Sequence, residues 1–262
     1  LRKCFVMCAF NSQSLTFLYS NILAGLHQKA VCVASELTSP ALVSKFYDPE
    51  YEATHDNPDK DPYMAFEKDF MRFMLSDGAG AVLVQDHPEG ICPLKIEWVD
   101  MISYANELPT CMFMASELQE NGRLKSWKEF SPDEIKERAV LVGKQDIRQL
   151  KKYIIKYWVD HIETVLAKHH VKAEEIDYVI PHVSSMFFYE KLNDEIAARN
   201  IALTKEKWFT NLTSVGNIGS AAIYVGLEEL IRTKEIKQGD KILLLVPESG
   251  RFSYGTVLLT AD

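Results

Sequence analysis

Three polar residues far apart in the chain each stand directly after, or at the end of, an apolar stretch. Cys8 follows Cys4-Phe5-Val6-Met7, and His182 follows Tyr178-Val179-Ile180-Pro181. Asn217 stands in Thr213-Ser214-Val215-Gly216-Asn217-Ile218-Gly219-Ser220, ahead of an apolar helical run. Strand ends that feed helices are where open α/β proteins assemble their sites. A thiol, an imidazole and an amide brought together there suit acyl-thioester chemistry. A cysteine that opens a helix has its thiolate favoured by the dipole and the unpaired amides, and Cys8 directly precedes a helical pattern. Each residue also has a plainer reading: a buried inert cysteine, a satisfied strand-end histidine, an asparagine N-cap. His161, His169 and His170 fall on or near the end of a long amphipathic pattern that faces core or solvent, and His27, His55 and His87 sit in polar contexts.

The elements that must position the trio follow from periodicity. Residues 9–25 read as a largely apolar helix ending near Gly25, and Ala30-Val31-Cys32-Val33-Ala34 as a short buried strand. Residues 47–63, rich in Asp, Glu, Pro and Tyr, read as a surface excursion. Ser76-Asp77-Gly78-Ala79-Gly80 is a Gly-rich turn into another apolar strand. After a strand near Leu94–Met101 and an irregular polar stretch to about residue 130, Ser131-Pro132-Asp133-Glu134 carries a helix-start signature. Residues 146–170 have apolar positions at helical spacing, followed by a strand at Ile176–Ile180 and a helix over roughly 185–199.

The C-terminal part then runs helix (Ile218–Ile231), strand (Lys241–Val246), turn and strand (Phe252–Leu259), the order already seen after Cys8. That self-similarity predicts a duplicated α/β unit. Residues 1–90 are assigned to the first half, with the nucleophile, and 91–262 to the second, with the histidine and asparagine. The second half holds about five strands against three in the first, a difference of two strands with their crossovers at about 30 residues or more per βαβ unit. The expectation is a first half lacking its N-terminal strands, removed from the chain or supplied by another polypeptide.

With 262 residues, 47% of them hydrophobic and 25% charged, the composition is that of a globular protein. A net charge of -8 and a pI near 5.5 argue against a broad nucleic-acid or anionic-membrane footprint. The sequence has neither the roughly 18 uninterrupted apolar residues of a membrane helix nor a signal-peptide pattern, so a cytoplasmic location is expected. Five cysteines, an odd number without a C-x-x-C pair, suggest neither a zinc site nor a disulfide framework.

Four ordered segments resemble the ketoacyl-acyl-carrier-protein synthases of the initiating type, within the thiolase superfamily. Ser76-Asp77-Gly78-Ala79-Gly80-Ala81-Val82 is similar to that family's GDGAGAV segment, and Val179-Ile180-Pro181-His182 to its catalytic-histidine strand exit. Gly216-Asn217-Ile218-Gly219-Ser220-Ala221-Ala222 resembles its GNTSAAS segment, and Gly239-Asp240 with the following strand its ending. Matched backwards without a gap from Ala30–Glu36, the family's nucleophile falls on Cys8.

The resemblance implies a thiolase-like fold of duplicated α/β/α/β/α layers and no cofactor beyond phosphopantetheine thioesters of acyl carrier protein or coenzyme A. It implies that Cys8 takes an acyl group, and that His182 and Asn217 bind the carbonyl of a malonyl extender as carbon dioxide leaves. Backbone amides of Cys8 and Gly250 would form the oxyanion hole. A dimer is expected, of like chains or with a homologue. The chain departs from the pattern at Pro247-Glu248-Ser249-Gly250-Arg251-Phe252, where the family loop is Gly-rich, and after His182, where Val183-Ser184-Ser185 replaces an amide and an arginine. Two other functions fit the same residues: transfer of the Cys8-bound acyl group to an alcohol or amine, and a non-catalytic partner of a heterodimeric synthase. No Cys follows Cys111, which argues against a thiolase proper, and Asn217 stands where elongating enzymes carry a second histidine.

Overall fold

A computed structural model describes residues 10–48 and 70–262, and its long elements run α1 (Phe10–Leu23), β1 (Lys29–Glu36), β2 (Gly78–Gln85), β3 (Leu94–Ser103), α2 (Ile147–Lys168), β4 (Tyr178–Pro181), α3 (Met186–Ala198), α4 (Ala222–Thr233), β5 (Lys241–Glu248) and β6 (Ser253–Ala261). Four strands form a sheet in the order β3-β6-β5-β4. β4 and β5 are parallel, with Tyr178 beside Ile242 and Pro181 beside Leu245. β6 is antiparallel to both β5 and β3, and its register on β3 slips between Leu258 and Leu259.

The apolar run of β5 is continuous because both faces of this sheet are covered. Leu243 and Leu245 join a core with Leu150, Trp158 and Ile162 of α2 and Leu192 and Ile196 of α3. Ile242, Leu244 and Val246 point the other way, into a core with Leu15 and Ile22 of α1 and Ile223 and Leu230 of α4. Period-two alternation thus divides one strand between two cores. Each such side chain contributes about 1.5–3 kcal/mol of burial.

On the far side of α1 and α4 lies a two-stranded antiparallel ribbon, β1 on β2, with Cys32 opposite Val82 and Val31 opposite Leu83. Cys32, Ala34 and Val84 face the same core as α1 and α4. The described residues therefore make four successive layers: α2 and α3, the four-stranded sheet, α1 and α4, and the ribbon. Four layers in the order α/β/α/β, out of the five that the sequence leads one to expect, are thus found among the described residues.

Helix starts obey the sequence signals. Ser131 caps the short helix Pro132–Glu137 in a reciprocal box with Glu134, and the Asp146 carboxylate accepts the Gln149 amide at 2.9 Å to open α2. The stretch read as irregular before residue 130 contains three two- or three-residue strands. Of these, Met112–Phe113 pairs with Lys144–Gln145, too short a pairing to show as periodicity. Among the described residues no helix is long and apolar enough to cross a membrane.

Candidate active site

A cavity of about 110 Å³ opens where the four-stranded sheet, α2 and the ribbon meet. Its wall is mainly apolar, with Met71, Met74, Leu150, Ile154, Trp158 and Phe188. Polar groups reach it from Glu36, Gln145, His182, Asn217 and Ser249.

His182 is carried at the exit of β4. Its main-chain N–H donates to Leu245 O at 2.8 Å, extending the β4–β5 ladder by one step, so the ring is placed by the sheet. Neither ring nitrogen has a hydrogen-bond partner among the described residues. Desolvation pulls the imidazole down to about 4, so the ring is neutral at ordinary pH and one ring nitrogen carries an N–H.

Asn217 is buried, and its backbone is fixed from the ribbon side: Ser76 N–H donates to Asn217 O at 2.9 Å. Its Oδ1 accepts the Gly219 N–H at 3.2 Å, which is the capping role the residue type suggests. That bond orients the amide and leaves Nδ2 without a partner among the described residues. Both neighbouring glycines have positive φ, +83° at Gly216 and +56° at Gly219. A side chain on Gly216 would strike Ser76, and one on Gly219 would strike Glu36. The Glu36 carboxylate accepts the Ser220 N–H at 3.2 Å, tying the end of β1 to the start of the helical run.

Ser76 and the first residue of β2, Gly78, therefore pack directly on the Gly216–Gly219 segment. A Cβ on Gly78 would lie 2.6 Å from Ile218 Cβ. Asp77 closes the turn after β1, accepting the N–H groups of Thr38 at 2.7 Å and Ser39 at 2.9 Å, and these bonds with the Ser39 hydroxyl hold its carboxyl below the usual range. The segment read as a Gly-rich turn is thus the start of β2, where Gly78, Ala79 and Gly80 pair with Glu36, Ser35 and Ala34.

His182 and Asn217 are brought to one cavity, whereas Cys8 lies outside the described residues. Gly250, expected to lend its amide to an oxyanion hole, has another partner here. Its N–H donates to the buried Glu248 carboxylate, which also accepts the Arg251 N–H at 3.0 Å. Burial pushes the Glu248 carboxyl up. Pro247 and Ser249, the alternate residues of this loop, line the cavity, while Glu248 and Gly250 do not.

Three of these polar wall residues, Glu36, Gln145 and Ser249, were not expected at the site from the sequence. The Gln145 Nε2 donates to Ser249 Oγ at 2.8 Å, joining a two-residue strand to the loop after β5. The break in the Gly-rich pattern at residue 249 was the available signal. Among the described residues no cluster of His, Cys, Asp or Glu is placed to hold a metal ion.

Known proteins share this framework. Residues 166–260 match the family model for the 3-oxoacyl-[acyl-carrier-protein (ACP)] synthase III C terminal. The beta-ketoacyl-[acyl-carrier-protein] synthase III of Clostridium perfringens (strain ATCC 13124) is 27% identical over 186 residues, 71% of this chain and 52% of that protein. The chain thus spans about half the length of this curated relative. The crystal structure of 3-oxoacyl-[acyl-carrier-protein] synthase III from Aquifex aeolicus VF5 superposes with a TM-score of 0.64 at 23% identity, covering 97% of this chain and 65% of that one. The tetronic acid condensing enzyme AbyA1 superposes with a TM-score of 0.67 at 16% identity, covering 97% and 66%. At these identities the superpositions establish the fold.

Proposed function

We propose that this chain, which is similar to beta-ketoacyl-[acyl-carrier-protein] synthase III, serves an acyl-thioester condensing enzyme in fatty-acid or specialised-metabolite synthesis. The observation that carries this reading is the convergence of a neutral imidazole and an oriented amide, His182 and Asn217, on one mainly apolar cavity. Substrates are thioesters on acyl carrier protein or coenzyme A.

The Cys8 thiolate attacks the carbonyl carbon of an acyl thioester and expels the carrier thiol, leaving the acyl group on sulfur. The thioester carbonyl of a malonyl-type extender then accepts hydrogen bonds from the His182 ring N–H and Asn217 Nδ2. When the carbon–carboxylate bond breaks, its electron pair becomes the enolate that these two donors stabilise, and carbon dioxide leaves. The enolate carbon attacks the acyl-Cys8 carbonyl, forming the new carbon–carbon bond. Collapse releases a 3-oxoacyl thioester and regenerates the Cys8 thiolate. A neutral His182 suits this work, because its one ring N–H can donate to the thioester oxygen without bringing a charge into the apolar cavity. The apolar wall excludes water from the enolate.

The test is to incubate the protein with a panel of acyl thioesters and find the adduct by mass spectrometry. An acyl mass on Cys8, discharged by a malonyl thioester with release of carbon dioxide, is the expected result. Replacing His182 or Asn217 by Ala should slow that discharge by about 10²–10³-fold while Cys8 still acylates. Absence of any adduct while Cys8 reacts with a thiol reagent would overturn the reading, and discharge only by an alcohol or amine would replace it with simple acyl transfer.

A further inference from the structure

A second, smaller cavity of about 20 Å³ lies at the exit of β4, with His182, Val183, Thr210, Asn211 and Gly226 in its lining. His182 and Val183 also line the main cavity, so they stand in the wall between the two. A space of this size takes one water molecule where several polar groups face it. Three side chains supply them here. The Asn211 amide is oriented from outside, because its Nδ2 donates to the Glu229 carboxylate of α4 at 2.7 Å, and Oδ1 is the end that remains. That oxygen lies 4.0 Å from where a Cβ on Gly226 would stand, so it faces the room that a glycine leaves in the flank of α4. Thr210 Oγ1 accepts the Leu212 N–H at 3.3 Å and keeps its own proton to give. The His182 ring is neutral, and no partner among the described residues selects the nitrogen that carries its proton.

We propose that the smaller cavity binds one ordered water molecule, which donates to a His182 ring nitrogen and to Asn211 Oδ1 and accepts the Thr210 hydroxyl proton. Both protons of the water and one lone pair are then used, the usual complement of a buried water. The nitrogen that accepts from the water carries no proton, so the ring N–H stands on the other nitrogen, turned toward the main cavity. Asn211 and Thr210 are positioning residues that act on His182 through the water, and Glu229 holds Asn211 the right way round. A ring without this bond divides its proton between two nitrogens, and the fraction that carries it on the wrong side has no donor for the main cavity. That the N–H so placed serves an extender carbonyl rests on the condensing reading.

The experiment reads the tautomer in the resting protein. With isotope-labelled histidine, long-range proton–nitrogen correlation NMR at neutral pH distinguishes the two ring nitrogens, and the His182 signals are assigned by their loss in His182→Gln. The parent should show a single tautomer. Asn211→Ala and Thr210→Val should each give averaged nitrogens, whereas Thr210→Ser keeps the hydroxyl and should keep the single form. Gly226→Ala separates the water from any direct effect of the side chains: its methyl takes the water's room while Asn211 and Thr210 remain, and the nitrogens should again average. Discharge of acyl-Cys8 by a malonyl thioester should slow by about three- to tenfold in Asn211→Ala and Gly226→Ala, which is what one hydrogen bond is worth, with a thermal melt showing each variant folded. Averaged nitrogens in the parent, or a single tautomer that persists in Asn211→Ala and Gly226→Ala, would overturn the inference whatever Cys8 does. A parent with the single tautomer, lost in those variants, that never acylates Cys8 would overturn the condensing reading alone.

Discussion

Strands β5 and β1 carry apolar runs of equal length, Ile242–Val246 and Ala30–Ala34, yet the fold treats them differently. In β5 both sets of alternate side chains are buried, Leu243 and Leu245 toward α2 and α3, Ile242 and Leu244 toward α1 and α4. In β1 only Cys32 and Ala34 face a core, while Val31 and Val33 are 59% and 67% exposed, next to an exposed Leu83 on β2. The difference lies in the layers around each strand, since an apolar run states only that both faces tolerate burial. The site sits where the two regimes meet: His182 comes from the doubly covered sheet, and the Asn217 backbone is pinned by Ser76 at the foot of the ribbon.

The largest effect should come from the doubly covered sheet. Leu243→Ala removes a fully buried side chain and should cost about 2–5 kcal/mol in denaturant unfolding. A loss under 1 kcal/mol would mean that this sheet is no better packed than the ribbon. Gly78→Ala tests the seam between the two regions. Its new methyl meets Ile218 with no room, and we expect roughly 1–3 kcal/mol of destabilisation together with slower extender discharge, since Ile218 is the neighbour of Asn217.

Acid should act on the sheet side as well. His161 is 2% exposed on α2, and desolvation lowers its imidazole to about 4. The unfolded chain therefore binds a proton below about 6.5 that the folded chain refuses until about 4, so stability is intact above 6.5 and falls as pH drops through that window, by about 1–3 kcal/mol from His161. His182 contributes in the same direction. Melting curves of His161→Leu should show a shallower decline between pH 6.5 and 4 than the parent; an identical decline would deny His161 this share. The smallest effect belongs to the ribbon. Val33→Lys on its outer face should change stability by less than about 0.5 kcal/mol, and a larger loss would show that this face is covered in solution.

Much of the architecture was legible because burial on both faces writes itself as unbroken apolar strands, and because helix starts use few side chains. Ser131-Pro132-Asp133-Glu134 and Asp146 mark their helices in the sequence and cap them in the structure. The strand read at Ile176–Ile180 lies at Tyr178–Pro181, a shift that leaves His182 as the next residue in the β4–β5 ladder. The helical run read from Ile218 begins at Ala222, because Gly219–Ala221 form a tighter turn first. The Met112–Phe113 pairing was not legible, since two residues carry no period, and with it went Gln145.

Two residue types of the cavity were determined by the sequence alone: an imidazole at a strand exit, His182, and an amide before a helix, Asn217. Local chemistry sets such positions, so they are written locally. Which groups share a cavity was decided only by the tertiary structure. It joined Gln145 to Ser249, turned the Gly250 amide onto Glu248 and aimed the Asn217 Oδ1 at the Gly219 N–H, through pairings separated by up to 104 residues and by as few as 2. Hydrogen-bond direction depends on where both partners finally lie, and no pattern of single residues encodes that.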